Sequence, residues 1–340
     1  MLIRWEFVSR IKTALREKRW LGNSLSFLGT FLLLALAWRL FLRNAPLDLL
    51  KRCSWRQLLP LAALFMVLFA INGYHYFYLL RRRGIRMEKK DILLFPLAMG
   101  LWGILLPLQG TLVYALWFFK RRYRMTLSST MAVSLFLYLF TVVICGALGV
   151  FCWFFCHLQS ILFLLLSVLM LVSPLLLFGA LALLRRSRER LPRWMRRGAE
   201  WFEAMLSSLT GLLADRKLVG VYILLYGLRL GMLLVAYGWI AAMLGFRLNI
   251  IQLILLNLWG VLGLIIKITP QNLGVGQLIS GALFVMLELP PEDAVIMSLV
   301  FAAIASVLEL TLGVVAHFML RRAIARHAED LPPEEETAKP

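Results

Sequence analysis

Charged side chains are scarce in this chain. Asp, Glu, Lys and Arg make up 16% of its 340 residues, and 61% are hydrophobic, whereas soluble domains have about 25% charged and about 45–50% apolar residues. The longest polar stretch, about 185–217, is too short to bury the core of a soluble catalytic domain. Repeated apolar runs long enough to cross a bilayer instead predict an all-α fold, a polytopic transmembrane helix bundle.

Acidic residues are about half as frequent as basic ones, 18 against 37, which gives a net charge of +19. The basic residues lie in clusters between apolar runs, at 1–20, 81–90, 120–124 and 185–217. This arrangement is typical of cytoplasmic loops and of affinity for anionic headgroups. We therefore expect membrane lipids, not nucleic acid, as partners. The same clusters predict a multi-pass protein of the cytoplasmic (inner) membrane with both termini in the cytoplasm.

Cysteine and histidine are rare, with four of each. Cys145, Cys152 and Cys156 share one helical face, but they lack CxxC spacing, so packing as small hydrophobes is favoured over a metal or redox site. The chain has no Walker A sequence. The predicted spans contain one central carboxylate and no cluster of His with carboxylates. We expect no metal, no cofactor and no catalysis by this chain alone.

The domain organisation follows from the apolar runs. We predict a basic amphipathic surface helix at 1–20, one transmembrane domain at 21–322 and an acidic, disordered tail at 323–340. Residues 185–217 should contain a helix on the cytoplasmic membrane surface, and 92–119 should enter and return as a broken hairpin. Seven or eight full spans are expected, seven of them at about 24–42, 58–80, 129–151, 161–184, 218–244, 250–268 and 294–320. A broken segment in each half of the chain also suggests a weak inverted repeat.

Helix-breaking and polar residues interrupt two of the apolar runs. The first break contains Pro107, Gln109 and Gly110, and the second contains Pro270, Gln271, Asn272, Gly274 and Gln277. Irregular backbone at membrane depth is tolerated only against protein or a watery cavity. Packing of two kinked helices would explain the breaks. Alternatively, paired breaks in the two halves of a chain are typical of inverted-repeat transporters with a central site, and we favour such a cavity.

Three charged residues bear on this cavity. Arg229 and Glu309 lie near the centres of predicted spans, and Lys267 precedes the second break. A charge at the bilayer centre costs about 2.5–3.5 kcal/mol on insertion scales, so it normally faces the bundle interior. Two interpretations stay open. Arg229 and Glu309 form a structural ion pair, or Arg229 and Lys267 line a path for a lipid phosphate while Glu309 holds Arg229 in place.

Both breaks lie in blocks with a family resemblance. The blocks LLPLQGTLVYALWFFKRR and TPQNLGVGQLISGALFVMLELPPEDAVIMSLV resemble the lysylphosphatidylglycerol synthase transmembrane-region, or flippase-like, family over about 24–322. Pro107, Gly110, Pro270 and Gly274 match the family pattern. The chain departs from the pattern where many members carry charged residues, since Thr111, Gly276 and Gln277 occupy those positions.

The resemblance implies a stand-alone integral membrane protein without the soluble transferase domain that some members carry. In those members the membrane part is linked to moving aminoacylated phosphatidylglycerol between leaflets. The leading expectation is therefore translocation of a phospholipid or lipid-linked molecule. Two alternatives stay open. The chain is a non-catalytic component that presents lipid to a separate transferase or glycosyltransferase, or it is a small-solute transporter.

Overall fold

The computed structural model describes residues 54–106, 110–155, 160–186, 193–265, 269 and 272–329, together with isolated positions between 28 and 39. These residues form ten α-helices and no strand, which confirms the all-α prediction. The helices are α1 (Trp55–Arg82), α2 (Lys89–Leu105), α3 (Gly110–Tyr123), α4 (Leu127–Phe155), α5 (Ile161–Arg186), α6 (Arg193–Ala214), α7 (Arg216–Leu244), α8 (Ile250–Ile265), α9 (Val275–Met286) and α10 (Pro291–Glu329). The surface helix predicted at 1–20 and most of the span at 24–42 lie outside the described residues.

Among the described residues, five helices are long and apolar enough to cross a membrane: α1, α4, α5, α7 and α10. Each contains one of the predicted spans. The boundary of the predicted tail at 323–340 is wrong, because α10 continues to Glu329. The backbone there contacts the rest of the protein, since the Arg122 guanidinium of α3 donates a hydrogen bond to the carbonyl oxygen of Ala323 at 3.1 Å. Residues 330–340 lie outside the described part of the chain.

The other apolar helices are short and packed in pairs. α2 and α3 contact each other on either side of the first break, as the predicted hairpin at 92–119 requires, and α8 and α9 contact each other on either side of the second. α8 has 16 residues and α9 has 12, whereas a transmembrane helix needs about 20. Residues 266–268 lie outside the described part of the chain, so the full span predicted at 250–268 stays a prediction.

The helices repeat the same order in each half: long, short, short, long. α1 to α4 form the first set and α7 to α10 the second. If α1, α2, α3 and α4 correspond to α7, α8, α9 and α10, then the contact of α2 with α10 corresponds to that of α8 with α4. The contact of α1 with α7 corresponds to itself. These contacts are those of a two-fold internal repeat, in which the last long helix of each set packs against the first short helix of the other. The inverted orientation of the two halves stays a prediction.

α2 packs very closely against the long helices on both sides. A Cβ atom on Gly73 of α1 would lie 1.6 Å from the carbonyl oxygen of Ile92, and one on Gly313 of α10 would lie 2.7 Å from that of Leu97. Small residues allow such approach of helix backbones in membranes. The first hairpin is thus held between α1 and α10 with little side-chain material in between.

α6 is the amphipathic helix predicted within 185–217. Its apolar face, which includes Met205, Leu209 and Leu212, is buried, and the helix packs mainly against α4. A guanidinium nitrogen of Arg83 donates a hydrogen bond to the carbonyl oxygen of Ser208 at 2.8 Å. This contact places α6 across the ends of α1 and α4, beside the cavity described next.

Candidate functional site

A cavity of about 610 Å³ lies among helices α1 to α7. This volume is within the range of about 300–1,000 Å³ that is usual for small-molecule sites. Most of the lining is aliphatic, aromatic or Met. Polar side chains on the wall include Thr111, Ser134, Tyr138 and Thr141, and Arg229 is the one fully charged residue among the lining residues that the structure describes. The cavity therefore combines an apolar wall with a single cation.

Arg229 has no acidic partner within the described part of the chain. Its guanidinium carbon lies 5.9 Å from the centroid of the Tyr226 ring. None of the ion pairs that the structure describes includes Arg229 or Glu309. The predicted Arg229–Glu309 pair is therefore wrong for this structure. A cation–π contact stabilises the guanidinium by about 0.5–2 kcal/mol but supplies no counter-charge, so Arg229 retains its capacity to pair with an anion.

Two other lining residues have unused donors. The Ser134 hydroxyl of α4 and the Trp201 indole nitrogen of α6 are buried and have no hydrogen-bond partner among the described residues. Most buried polar groups in proteins are hydrogen-bonded, so each exception needs an explanation. Together with Arg229, these residues give the wall hydrogen-bonding capacity suited to an acceptor-rich, negatively charged group.

The first helix break borders this cavity. A Cβ atom on Gly110 would lie 2.1 Å from the carbonyl oxygen of Trp102, so only glycine fits where α3 begins. The Gly110 amide donates a hydrogen bond to the carbonyl oxygen of Leu106 at 3.0 Å. The next residue, Thr111, lines the cavity. Pro107 and Gln109 lie outside the described residues.

The second break is built differently. Asn272 and Gly274 have positive φ angles of 59° and 85°, and the Gln277 side-chain oxygen accepts a hydrogen bond from the Gly274 amide at 2.6 Å. Gln277 thus caps α9. None of these three residues lines the cavity, and neither does Gly110, although its neighbour Thr111 does. Of the predicted site residues that the structure describes, only Arg229 lines the cavity. Lys267, Pro270 and Gln271 lie outside the described residues.

Glu309 lies apart from Arg229. Its side chain packs against α2, where a Cβ atom on Gly100 would lie 2.3 Å from the Glu309 carboxyl carbon. The residue is 9% exposed, and its Oε2 atom has no hydrogen-bond partner in the described part of the chain. The hypothesis that Glu309 holds Arg229 in place is therefore wrong for this structure.

The comparison with protein families decides the affiliation. The model of the lysylphosphatidylglycerol synthase TM region matches residues 20–313. The chain belongs to this family. No curated protein matches it, and neither does any solved structure. Membership confirms the resemblance carried by the two break-containing blocks, and it associates this multi-pass membrane protein with lipid metabolism or translocation.

In this family member, sequence reasoning missed three residues around the cation and the carboxylate. Tyr226 precedes Arg229 by three residues, a helical spacing that places their side chains on one face, so that contact was predictable. The only sequence signal for Trp201 is that it is an aromatic residue of an amphipathic helix, which does not indicate a position on a cavity wall. Gly100 carries no sequence signal for its contact with Glu309, because that contact depends on how α2 and α10 pack.

Proposed function

We propose that the protein moves a lipid with an anionic headgroup between the leaflets of the cytoplasmic membrane, with both of its own termini in the cytoplasm. The observation that carries the proposal is the cavity of about 610 Å³ whose described cation, Arg229, has no acidic partner. The family affiliation supports a role in lipid metabolism or translocation.

The physical difficulty is the headgroup, because its charge must pass a hydrocarbon layer about 30 Å thick. Arg229 lies near the midpoint of α7. Attraction between two unit charges 4 Å apart is about 4 kcal/mol at an effective dielectric constant of 20. A phosphate next to Arg229 would regain part of the hydration it loses, and its two-pronged geometry suits a guanidinium. Ser134 and Trp201 would supply further hydrogen bonds while the acyl chains stay in lipid.

The test is leaflet exchange of fluorescent lipids in vesicles that contain the purified protein. We expect exchange of an anionic phospholipid above the protein-free rate, and a smaller effect on a zwitterionic one. Arg229→Ala should lower the anionic rate at least about tenfold, which corresponds to about 1.4 kcal/mol. Arg229→Lys should retain part of it, since Lys keeps the charge but loses the fork.

Arg247→Ala is the matched control, because Arg247 is an exposed cation that does not line the cavity. This variant should exchange lipid at the wild-type rate. Equal rates for Arg229→Ala and Arg247→Ala would contradict the role of Arg229. Absence of exchange for every anionic or glycosylated lipid would overturn autonomous translocation, and lipid binding without exchange would favour presentation of lipid to a separate transferase.

A further inference from the structure

Glu309 is a carboxylate that does not line the cavity. It lies at the midpoint of α10, is 9% exposed and belongs to none of the ion pairs between described residues. Its Oε2 atom has no hydrogen-bond partner there. An isolated ionised carboxylate in apolar surroundings is very unfavourable, so a group placed in this way carries a proton instead.

The helices around α10 present no counter-charge to Glu309. α1, α2, α3, α7 and α9 pack against α10, and the described residues of α9 include no titratable side chain. The charged residues of α2 are confined to its first turn, and those of α3 to its last turn. Asp91 of α2 is nine positions before Gly100, about 13 Å along the helix, and it bonds to Arg122 of α3 at 3.3 Å.

The ionisable groups His75, Arg229 and His317 have contacts elsewhere. The His75 ring of α1 lies 4.8 Å from the Tyr222 ring of α7, and Arg229 of α7 lies over Tyr226. On α10 itself, His317 is two turns beyond Glu309, and its Nδ1 atom accepts a hydrogen bond from the Trp102 indole at 3.2 Å. Arg321 follows one turn later. None of these groups forms an ion pair with Glu309.

We propose that Glu309 is a proton-binding site that couples proton uptake and release to movement of lipid. This inference rests on the proposed function. In the neutral form the carboxyl group fits against Gly100 and α2 lies close to α10. Loss of the proton to water leaves a charge that needs solvation, and the close contact with Gly100 leaves no room for water. Release therefore requires α2 to move away from α10, and rebinding allows it to return.

This movement would reach the cavity through α2. Gly100 packs against Glu309 on one side of the helix, while its neighbour Met99 lines the cavity. The Tyr76 hydroxyl of α1, which also lines the cavity, lies 3.9 Å from the sulfur atom of Met99. A shift of α2 would thus change the cavity wall, although Glu309 itself does not line the cavity. The proton site and the lipid site share one moving helix.

Infrared absorption of the purified protein tests the proton site without any transport assay. The difference between wild type and Glu309→Gln at neutral pH should show the carbonyl band of one protonated carboxyl group. Glu200→Gln, at an exposed carboxylate of α6, should leave that band in place. Because Gln has the shape of protonated Glu, the Glu309→Gln variant should unfold at the wild-type temperature. A missing band would show that Glu309 is ionised and would overturn the proton site.

Leaflet exchange under an imposed pH gradient tests the coupling. Wild type and Glu200→Gln should change their exchange rate at least about threefold with the gradient, which is about 0.7 kcal/mol, and Glu309→Gln should exchange lipid at a rate that ignores the gradient. A gradient response that persists in Glu309→Gln would overturn the coupling. A wild type with the infrared band but no exchange would refute the proposed function and leave proton binding supported. A wild type that exchanges lipid but lacks the infrared band would support the proposed function and overturn the proton site.

Discussion

Replacing Gly73 with alanine tests how α2 is held against α1. The added Cβ atom would lie 1.6 Å from the carbonyl oxygen of Ile92, and the nearest atoms all belong to the Ile92 backbone. Ordinary contact begins at 3.4 Å, so the two atoms must separate by about 1.8 Å. No side-chain rotation can supply this distance. Overpacking in a close-packed interior costs about 1–3 kcal/mol, and we expect the upper end here because a whole helix must move.

Thermal unfolding in detergent, followed by tryptophan fluorescence, measures the effect. A loss of about 3 kcal/mol corresponds to a Tm about 6 °C lower, on the scale of roughly 2 °C per kcal/mol for larger domains. Gly227→Ala is the matched control, since nothing lies within 4 Å of its added Cβ atom, and removing a helical glycine gains about 0.5–1 kcal/mol. A Tm for Gly73→Ala at or above that of Gly227→Ala would refute the close approach of α1 and α2.

Two other positions give sharp contrasts in the same assay. Gly274→Ala should destabilise the protein by at least about 1–2 kcal/mol, because φ is 85° at this position. Gly276→Ala should be close to neutral, since its added Cβ atom would meet nothing within 4 Å. Equal Tm values for the two variants would contradict the backbone conformation of the second break. Tyr123→Phe should cost about 1.5–3 kcal/mol, because the Tyr123 hydroxyl donates to Asp91 at 2.6 Å and accepts from the Glu88 amide at 3.1 Å; an unchanged Tm would show that the hydroxyl does not stabilise the first hairpin.

The long helices were predictable because membrane insertion constrains composition over whole segments. Apolar runs at 58–80 and 218–244 specify helices nearly to their ends, since backbone groups in lipid must be satisfied internally. The run at 250–268 stays a predicted span, because length and hydropathy alone do not distinguish a spanning helix from half of a hairpin. The end of α10 was misplaced for a different reason: the contact of Arg122 with the Ala323 carbonyl depends on tertiary packing.

The site was predictable only as far as single residues carry an unusual property. A lone Arg at the middle of an apolar helix is improbable without an interior environment, so Arg229 was identified and the structure places it at the cavity. The predicted pairing of Arg229 with Glu309 rested only on their opposite charges and on their positions near the centres of predicted spans. Gly100 and Gly313 decide that Glu309 faces α2, and the packing of glycines on separate helices cannot be read from one sequence.

Arg229 also bears on the permeability of the membrane to ions. A wide cavity among membrane helices can hold water, and such water could conduct protons and metal cations down the gradients that a cell maintains. A fixed positive charge opposes them: at 6 Å and an effective dielectric constant of 20, repulsion of a monovalent cation is about 3 kcal/mol, or roughly a hundredfold in local concentration. Arginine in water channels excludes protons and cations by the same kind of electrostatic barrier. A charge that would attract an anionic headgroup would thus also oppose the entry of cations into the cavity.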